Sequence, residues 1–302
     1  MKIINEFPVV LKQLRFKYRI VLWHFFRLIR NSLTITTKQG VFTLPLDTDD
    51  PISKHLFAKG EFELDLTIDA MQIIRRSTPL TKGKGTLLDI GANNGVISIG
   101  MITTGQMQSA IAIEPEPQNF ANLQRNVDVN GLKDKVTCLN YAVSDKKSTL
   151  VFELSQRNSG DHRVRNESID TKLEDSFDES SRSTIIIESQ ALDTLLLDID
   201  RALCKDISVV WIDVQGHEGY VFLGAKELLS RGVPVVSEIW PYGIQRSGMS
   251  KETYCAIVRE TWSNFWVKRE DGFVQHEIAL FESYYDELGY HRESSSNVIF
   301  MK

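Results

Sequence analysis

The stretch Leu87-Leu88-Asp89-Ile90-Gly91-Ala92-Asn93-Asn94-Gly95 constrains the fold more than any other part of this chain. It reads as a buried strand (Thr86–Asp89), a tight glycine turn and a helix from about Asn94 to Thr103. That geometry lets a ligand approach the backbone closely and leaves amide donors at a helix N-terminus. The same alternation runs on from residue 62. Helices are expected at Leu64–Arg75, Pro117–Asn130, Ala191–Leu197, His217–Ser230 and Thr253–Trp262. Strands are expected at Ala110–Glu114, Val136–Asn140, Thr149–Leu154, Ile185–Glu188, Val209–Asp213, Val233–Glu238, Phe265–Lys268 and Asn297–Met301. Short, continuously apolar strands between helices indicate an α/β fold with a mostly parallel sheet covered on both faces.

The 302 residues are 42% hydrophobic and 25% charged, enough to build a core, which excludes wholesale disorder. The length suits one large α/β domain over residues 61–302 with an appendage at 1–60. A formal net charge of −5 argues against a nucleic-acid-coating protein, yet residues 1–40 carry eight cations and one anion, leaving −12 for the remainder. Residues 8–31 read as a basic amphipathic helix, with Val10, Leu14, Val21, Leu22, Phe25, Phe26 and Ile29 on its apolar side. It can lie on an anionic membrane, or dock on the main domain or a second subunit. A short strand pair (Thr34–Thr37 and Val41–Leu44, turning at Gln39-Gly40) follows. Cys138, Cys204 and Cys255 are too scattered for a disulfide framework or a zinc site. With no convincing signal peptide or spanning segment, a cytoplasmic protein is expected. The polar stretch 155–184 is either a substrate-side lid or a solvated insertion, and His162 lies within it.

A nicotinamide-binding turn would read G-x-G-x-x-G and embrace a pyrophosphate. Here Asn93 replaces the middle glycine, and Asp89 precedes the turn. An acid there repels a pyrophosphate and attracts a sulfonium with an α-amino group, which points to S-adenosylmethionine rather than NAD. Glu114, at the end of the next strand, suits a pair of vicinal ribose hydroxyls. Asp213 ends a later strand at the position where ligands bind in such sheets, and His217 follows four residues on. Methyl transfer to an alcohol needs in-line alignment and a proton acceptor, for which His217, Asp213 and Glu238 are the candidates. Glu238, beside Trp240 and Tyr242, alternatively contacts an acceptor hydroxyl, and Glu218 stabilises a helix N-terminus. Asp213 and Glu238 on neighbouring strand tips are also compatible with Mg2+. The tail aromatics Trp262, Phe265, Trp266, Phe273, Phe281, Tyr284 and Tyr285 read as packing, with no basic groove for nucleic acid.

Taken together, LLDIGANNGVISIG (87–100), AIEPEPQNFANLQRNVDVNG (112–131), NYAVSDKKSTLVFE (140–153), ALDTLL (191–196), WIDVQGHEGYVFLGAKELL (211–229) and PVVSEIW (234–240) resemble the FkbM-type family of S-adenosylmethionine-dependent methyltransferases. The upstream GVFTLP and the Gly60-Glu61 step resemble it too, so the similarity spans about residues 40–240. The resemblance implies a Rossmann-like class I methyltransferase with a seven-stranded sheet, its last strand antiparallel, and methyl transfer to a hydroxyl of a sugar, glycan or small secondary metabolite. It implies that Asp89, Gly91, Asn93 and Gly95 cradle the methionyl part and that Glu114 holds the ribose. It also implies that Asn140, Ala142 and Ser144, with Asp145 assisting, meet the adenine edge. The motif D-V-Q-G-H-E departs from the family's D-V-E-G-x-E at Gln215, neutral where an acid is usual. Two readings from other classes stand beside this one: a nicotinamide-dependent oxidoreductase, and a non-catalytic protein that binds membrane or a partner through its N-terminal helix.

Overall fold

The computed structural model describes residues 7–166, 179–270, 272–291 and 294–302, with side chains from Phe16 onward. Residues 167–178 of the polar stretch predicted at 155–184 lie outside the described residues. The chain opens with α1 (Phe7–Ile29) and the antiparallel hairpin β1 (Ser32–Thr37) and β2 (Gly40–Pro45). A helix not expected from the sequence, α2 (Pro51–Lys59), follows. The Asp50 carboxylate starts it by accepting from Ser53 N, and Gly60 ends it at φ +78°. Then come α3 (Leu64–Ser77), β3 (Thr86–Ile90), α4 (Val96–Thr103), β4 (Ser109–Ile113), α5 (Pro117–Val129) and β5 (Val136–Leu139). Proline in the first turn of α5 and the Glu116 carboxylate accepting from Asn119 N fix where that helix begins.

The middle of the chain holds β6 (Ala142–Ser144), β7 (Ser148–Leu154), β8 (Arg163–Val164), β9 (Ser183–Ala191), α6 (Leu192–Leu195) and α7 (Arg201–Lys205). The remainder is β10 (Ile207–Ile212), α8 (Glu218–Gly224), α9 (Lys226–Ser230), β11 (Val235–Ile239), α10 (Pro241–Arg246), α11 (Lys251–Thr261), β12 (Asn264–Arg269), β13 (Gly272–Glu277), α12 (Phe281–Leu288) and β14 (Ser296–Met301). The single helix expected over 217–230 is two, broken at Ala225. A Cβ on Gly224 would stand 1.9 Å from Ser144 O, so β6 crosses against the helix end there.

The main sheet has eight strands in the order β13-β12-β14-β11-β10-β3-β4-β5, not seven. β11, β10, β3, β4 and β5 run parallel, and β14 inserts antiparallel between β11 and β12, as the expected last strand does. The extra strand is β13, paired with β12 at the edge. Its half-exposed GFVQHE has no apolar alternation strong enough to read from sequence. β7 and β9 are not in this sheet either; with β6 and β8 they form a separate four-stranded sheet.

Side chains alternate between two cores, one on each face. Leu88, Ile90, Ile111, Ile113, Val210 and Ile212 face α8, α11 and α12. Leu87, Ala110, Ala112, Val209 and Trp211 share the other core with Phe42 and Leu44 of the hairpin and Leu56 of α2. The tail aromatics pack as expected: Trp262, Phe265, Trp266, Phe281, Tyr284 and Tyr285 are buried. The hairpin is locked onto α5, because Asn126 Oδ1 accepts from Thr43 N at 2.9 Å.

Candidate active site

The strand order reverses between β3 and β10, and a cleft lies at the C-terminal ends of these two strands, where open α/β sheets bind ligands. Gly91 makes the approach possible. At φ +86° it donates to Ile113 O, and a Cβ would stand 1.9 Å from Asp213 O. Asn93 sits at φ +49°, a left-handed conformation that Asn tolerates better than most residues. Its amide donates to Glu114 Oε2 at 2.8 Å and its side chain donates to Ser159 O at 2.9 Å.

Two buried carboxyls flank this bend. Asp89 Oδ2 accepts from Ser98 N at 3.1 Å and Ser98 Oγ at 2.5 Å, tying β3 to α4. Burial pushes its pKa up to about 7, against those two bonds. Glu114 accepts from Asn93 N and, at 2.9 Å, from Glu116 N; burial outweighs both and raises it to about 8. Among the described residues, no cation acts on either carboxyl.

Across the cleft, the turn after β10 gathers a second acidic set. Gln215, at φ +54°, donates from Nε2 to both Asp213 Oδ1 (2.6 Å) and Glu238 Oε2 (2.9 Å). Burial raises Asp213; burial and the charges of Asp213 and Glu218 raise Glu238 well above the carboxylate range. Glu63, lining the same cleft, is lifted to about 7 by burial and then by Asp213. Glu218 Oε1 clamps the turn by accepting from Val214 N and Gly216 N. An amide thus stands between Asp213 and Glu238, the pair compatible by type with Mg2+, and no group of three metal-ligating side chains occurs among the described residues.

His217 lines the cleft and stacks on Tyr220, ring centroids 4.5 Å apart. Its Nε2 lies 3.0 Å from Ser144 Oγ, which itself donates to Asp145 Oδ1. With the serine proton on Asp145, the histidine must donate from Nε2, which leaves Nδ1 as a bare lone pair. That Nδ1 is buried and has no hydrogen-bond partner among the described residues. Burial lowers the ring pKa to about 4, so it is neutral at physiological pH.

A strap from the polar stretch crosses the cleft. Ser159 O accepts from Asn93 and Asn119 side chains, while Ser159 N and Oγ donate to Asp50 Oδ1 at 2.9 and 2.8 Å. His162 also lines the cleft, its Nδ1 accepting from Ser155 N. Behind the strap, Arg163 pairs with Asp161 (2.9 Å) and Glu179 (3.2 Å), and Tyr242 donates to Glu179, fixing the small sheet against α10. The cleft, partly open to solvent, measures about 90 Å3. This is a fraction of an ordinary small-molecule site of roughly 300–1,000 Å3, and Glu63 and the strap residues Ser159 and Gly160 are among the groups that line it.

Of the residues singled out in the sequence, Asp89, Gly91, Asn93, Glu114, Ala142, Asp213 and His217 line this one cleft. Others lie outside its lining. Gly95 faces α5, where a Cβ would meet Leu123. Asn140 is exposed and donates to Glu114 O and Pro115 O, bracing the turn behind the carboxyl. Ser144 and Asp145 act through His217, and Glu238 through Gln215. Sequence reasoning missed Glu63, Tyr141 and Ile52 in the lining.

Sheet order, glycine bend and switch-point cleft define a Rossmann-like α/β protein. Residues 89–285 match the methyltransferase FkbM domain family, and the chain belongs to that family. It is similar to the 2-O-methyltransferase NoeI of Sinorhizobium fredii (strain NBRC 101917 / NGR234), 25% identical over 159 residues, which cover 50% of this chain and 62% of that protein. Similar solved structures include the methyltransferase FkbM of Methylobacillus flagellatus KT (TM-score 0.42, 14% identity, 76% of this chain and 46% of that one). Another is the precorrin-6y C5,15-methyltransferase of Geobacter metallireducens GS-15 (TM-score 0.41, 11% identity, 85% and 95%).

Proposed function

We propose that the protein is a methyltransferase that takes its methyl group from S-adenosylmethionine and delivers it to a hydroxyl of a sugar, glycan or small secondary metabolite. The observation that carries the donor is the pair Asp89 and Glu114: two buried carboxyls at adjacent strand tips, flanking a glycine bend, with no cation among the described residues acting on either. Buried acids without a cation are costly to ionise, and a cationic ligand relieves that cost. The bare Nδ1 of His217 fits too, as a buried acceptor awaiting a donor.

When bound, S-adenosylmethionine supplies an electrophilic methyl on a positively charged sulfur. Asp89, Gly91 and Asn93 would hold the methionyl part, Glu114 the ribose, and the Tyr141-Ala142 backbone the adenine side. Asp213 takes the proton from the acceptor hydroxyl. Burial raises its basicity above that of an ordinary aspartate, and Gln215 orients it while sharing its other bond with Glu238. His217, neutral, accepts a hydrogen bond from the acceptor and keeps its ring fixed through Ser144 and Tyr220. Hydroxyl transfer is favoured by this proton-accepting set and by the name of the similar 2-O-methyltransferase.

The test is incubation with labelled S-adenosylmethionine and a panel of polyols, glycans and polyketides, locating the label by mass spectrometry. Label on a hydroxyl oxygen is expected. Label on carbon or nitrogen, or none from any acceptor while the donor binds, contradicts the hydroxyl reading.

A further inference from the structure

The helix α1 is anchored by one side and bare on the other. Trp23 is fully buried, and its Nε1 donates to Asp49 Oδ1 at 3.0 Å. Arg19 donates to Phe57 O and lies over the Phe57 ring at 4.8 Å, while Arg27 donates to Leu46 O. These contacts fix the rotation of the helix about its axis. On the opposite side Tyr18, Val21, Phe25, Leu28 and Ile29 are 52–84% exposed. Their spacing puts them in one stripe about 100° wide. Five large apolar side chains turned to water at helical spacing form a patch that isolated surface residues do not.

Charge decides what covers it. Between Phe7 and Asn31 the chain has Lys12, Arg15, Lys17, Arg19, Arg27 and Arg30 and no acid. The same helix from a second copy would set cations against cations. The body of a second copy is acidic but has no matching apolar patch among the described residues. Its other exposed large apolar side chains, such as Val129 on α5, Ile186 on β9 and Val274 on β13, are spread over separate elements. A surface that is both apolar and anionic meets both requirements, and a lipid bilayer with acidic headgroups is such a surface. No helix among the described residues is long and apolar enough to cross a membrane.

We propose that the outward face of α1 is a docking surface for an anionic lipid bilayer. Tyr18, Val21, Phe25, Leu28 and Ile29 enter the headgroup boundary, and the exposed Lys17, which flanks the stripe, meets the headgroups. Because α1 rests on α2, and Ile52 of α2 lines the cleft, docking places the cleft one layer from the lipid.

The experiment is flotation of the full chain with vesicles of phosphatidylcholine, alone or with roughly a third phosphatidylglycerol, at low and high salt. Binding to the anionic vesicles that weakens with salt is expected. Phe25→Glu with Leu28→Glu should lower partitioning at least about tenfold, and Lys17→Glu should weaken the preference for anionic lipid. Since these side chains are exposed, both variants should melt at the wild-type temperature. Absence of wild-type binding, equal binding by all three proteins, or equal binding to both vesicles overturns the proposal. So does a dimer in sedimentation velocity that Phe25→Glu with Leu28→Glu dissolves in the absence of any vesicle binding; that outcome would assign the face to a second copy.

Discussion

Glu114→Gln removes a carboxyl that titrates near 4.5 in a free chain and is pushed up to about 8 by burial in the fold. Between those values the native state keeps the proton that the unfolded state has lost. The contribution of Glu114 to stability is therefore fully present below about pH 4.5 and lost as pH rises toward about 8. A displacement of about 3.5 pH units at about 1.4 kcal/mol each sets an upper bound of about 5 kcal/mol on what is lost. Asp89, Glu63 and Glu218, each raised to about 7, act in the same direction. Urea unfolding of the ligand-free protein from about pH 5.5 to about pH 8.5 should show stability falling with pH. In Glu114→Gln that slope should be shallower by up to about 1.4 kcal/mol per pH unit. A constant loss of about 1–2 kcal/mol should accompany it, because the amide can accept from only one of Asn93 N and Glu116 N. S-Adenosylmethionine should restore stability most at the alkaline end and release protons on binding; neutral-sulfur S-adenosylhomocysteine should do so less. Identical pH slopes for wild type and variant would refute the reasoning.

Three other substitutions probe separate parts of the site. Gly91→Ala drives a Cβ into Asp213 O at positive φ, and should cost at least about 3 kcal/mol in urea unfolding or prevent folding. Gln215→Glu replaces the amide that donates to Asp213 and Glu238 with a third acid, so stability should drop by about 2–4 kcal/mol, chiefly above about pH 7 where it is ionised; a melting temperature unchanged at alkaline pH would contradict this. Asp50→Ala removes both the α2 cap and the strap anchor, and should cost about 1–2 kcal/mol while speeding proteolytic cleavage within residues 155–166, read by mass spectrometry.

Much of the central sheet was legible because its strands are continuous apolar runs between helices, and because Gly91 and Asn93 stand where only a sharp turn fits. What escaped was governed by long-range pairing. β7 and β9 looked like members of the main sheet, since strand character says nothing about which partner a strand takes. β13 was invisible because this half-exposed edge strand carries no regular apolar alternation. In the site, the acids at strand tips could be read from position, as with Asp89, Glu114 and Asp213. Glu63 could not, because its place in the cleft depends on how α3 docks, more than a hundred residues of sequence away from Asp213. Asn140 shows the converse: correctly placed after β5, it turns outward to hold the Glu114 turn. For α1, the sequence showed one apolar side including Val21, Leu22, Phe25, Phe26 and Ile29; the fold buries Trp23, half-buries Leu22 and Phe26 and leaves Val21, Phe25 and Ile29 exposed, a split set by how the helix docks.

A crystal structure of the protein soaked with S-adenosylhomocysteine would show whether the Gly91 bend grips a thionucleoside. The ribose hydroxyls are expected on Glu114, the amino-acid end beside Asp89 and Gly91, and the Ser159 strap displaced from its place across the cleft. A nucleoside bound away from the β3–β10 switch point, or Glu114 still tied only to Asn93 and Glu116 with the nucleoside bound elsewhere, would contradict the assignment.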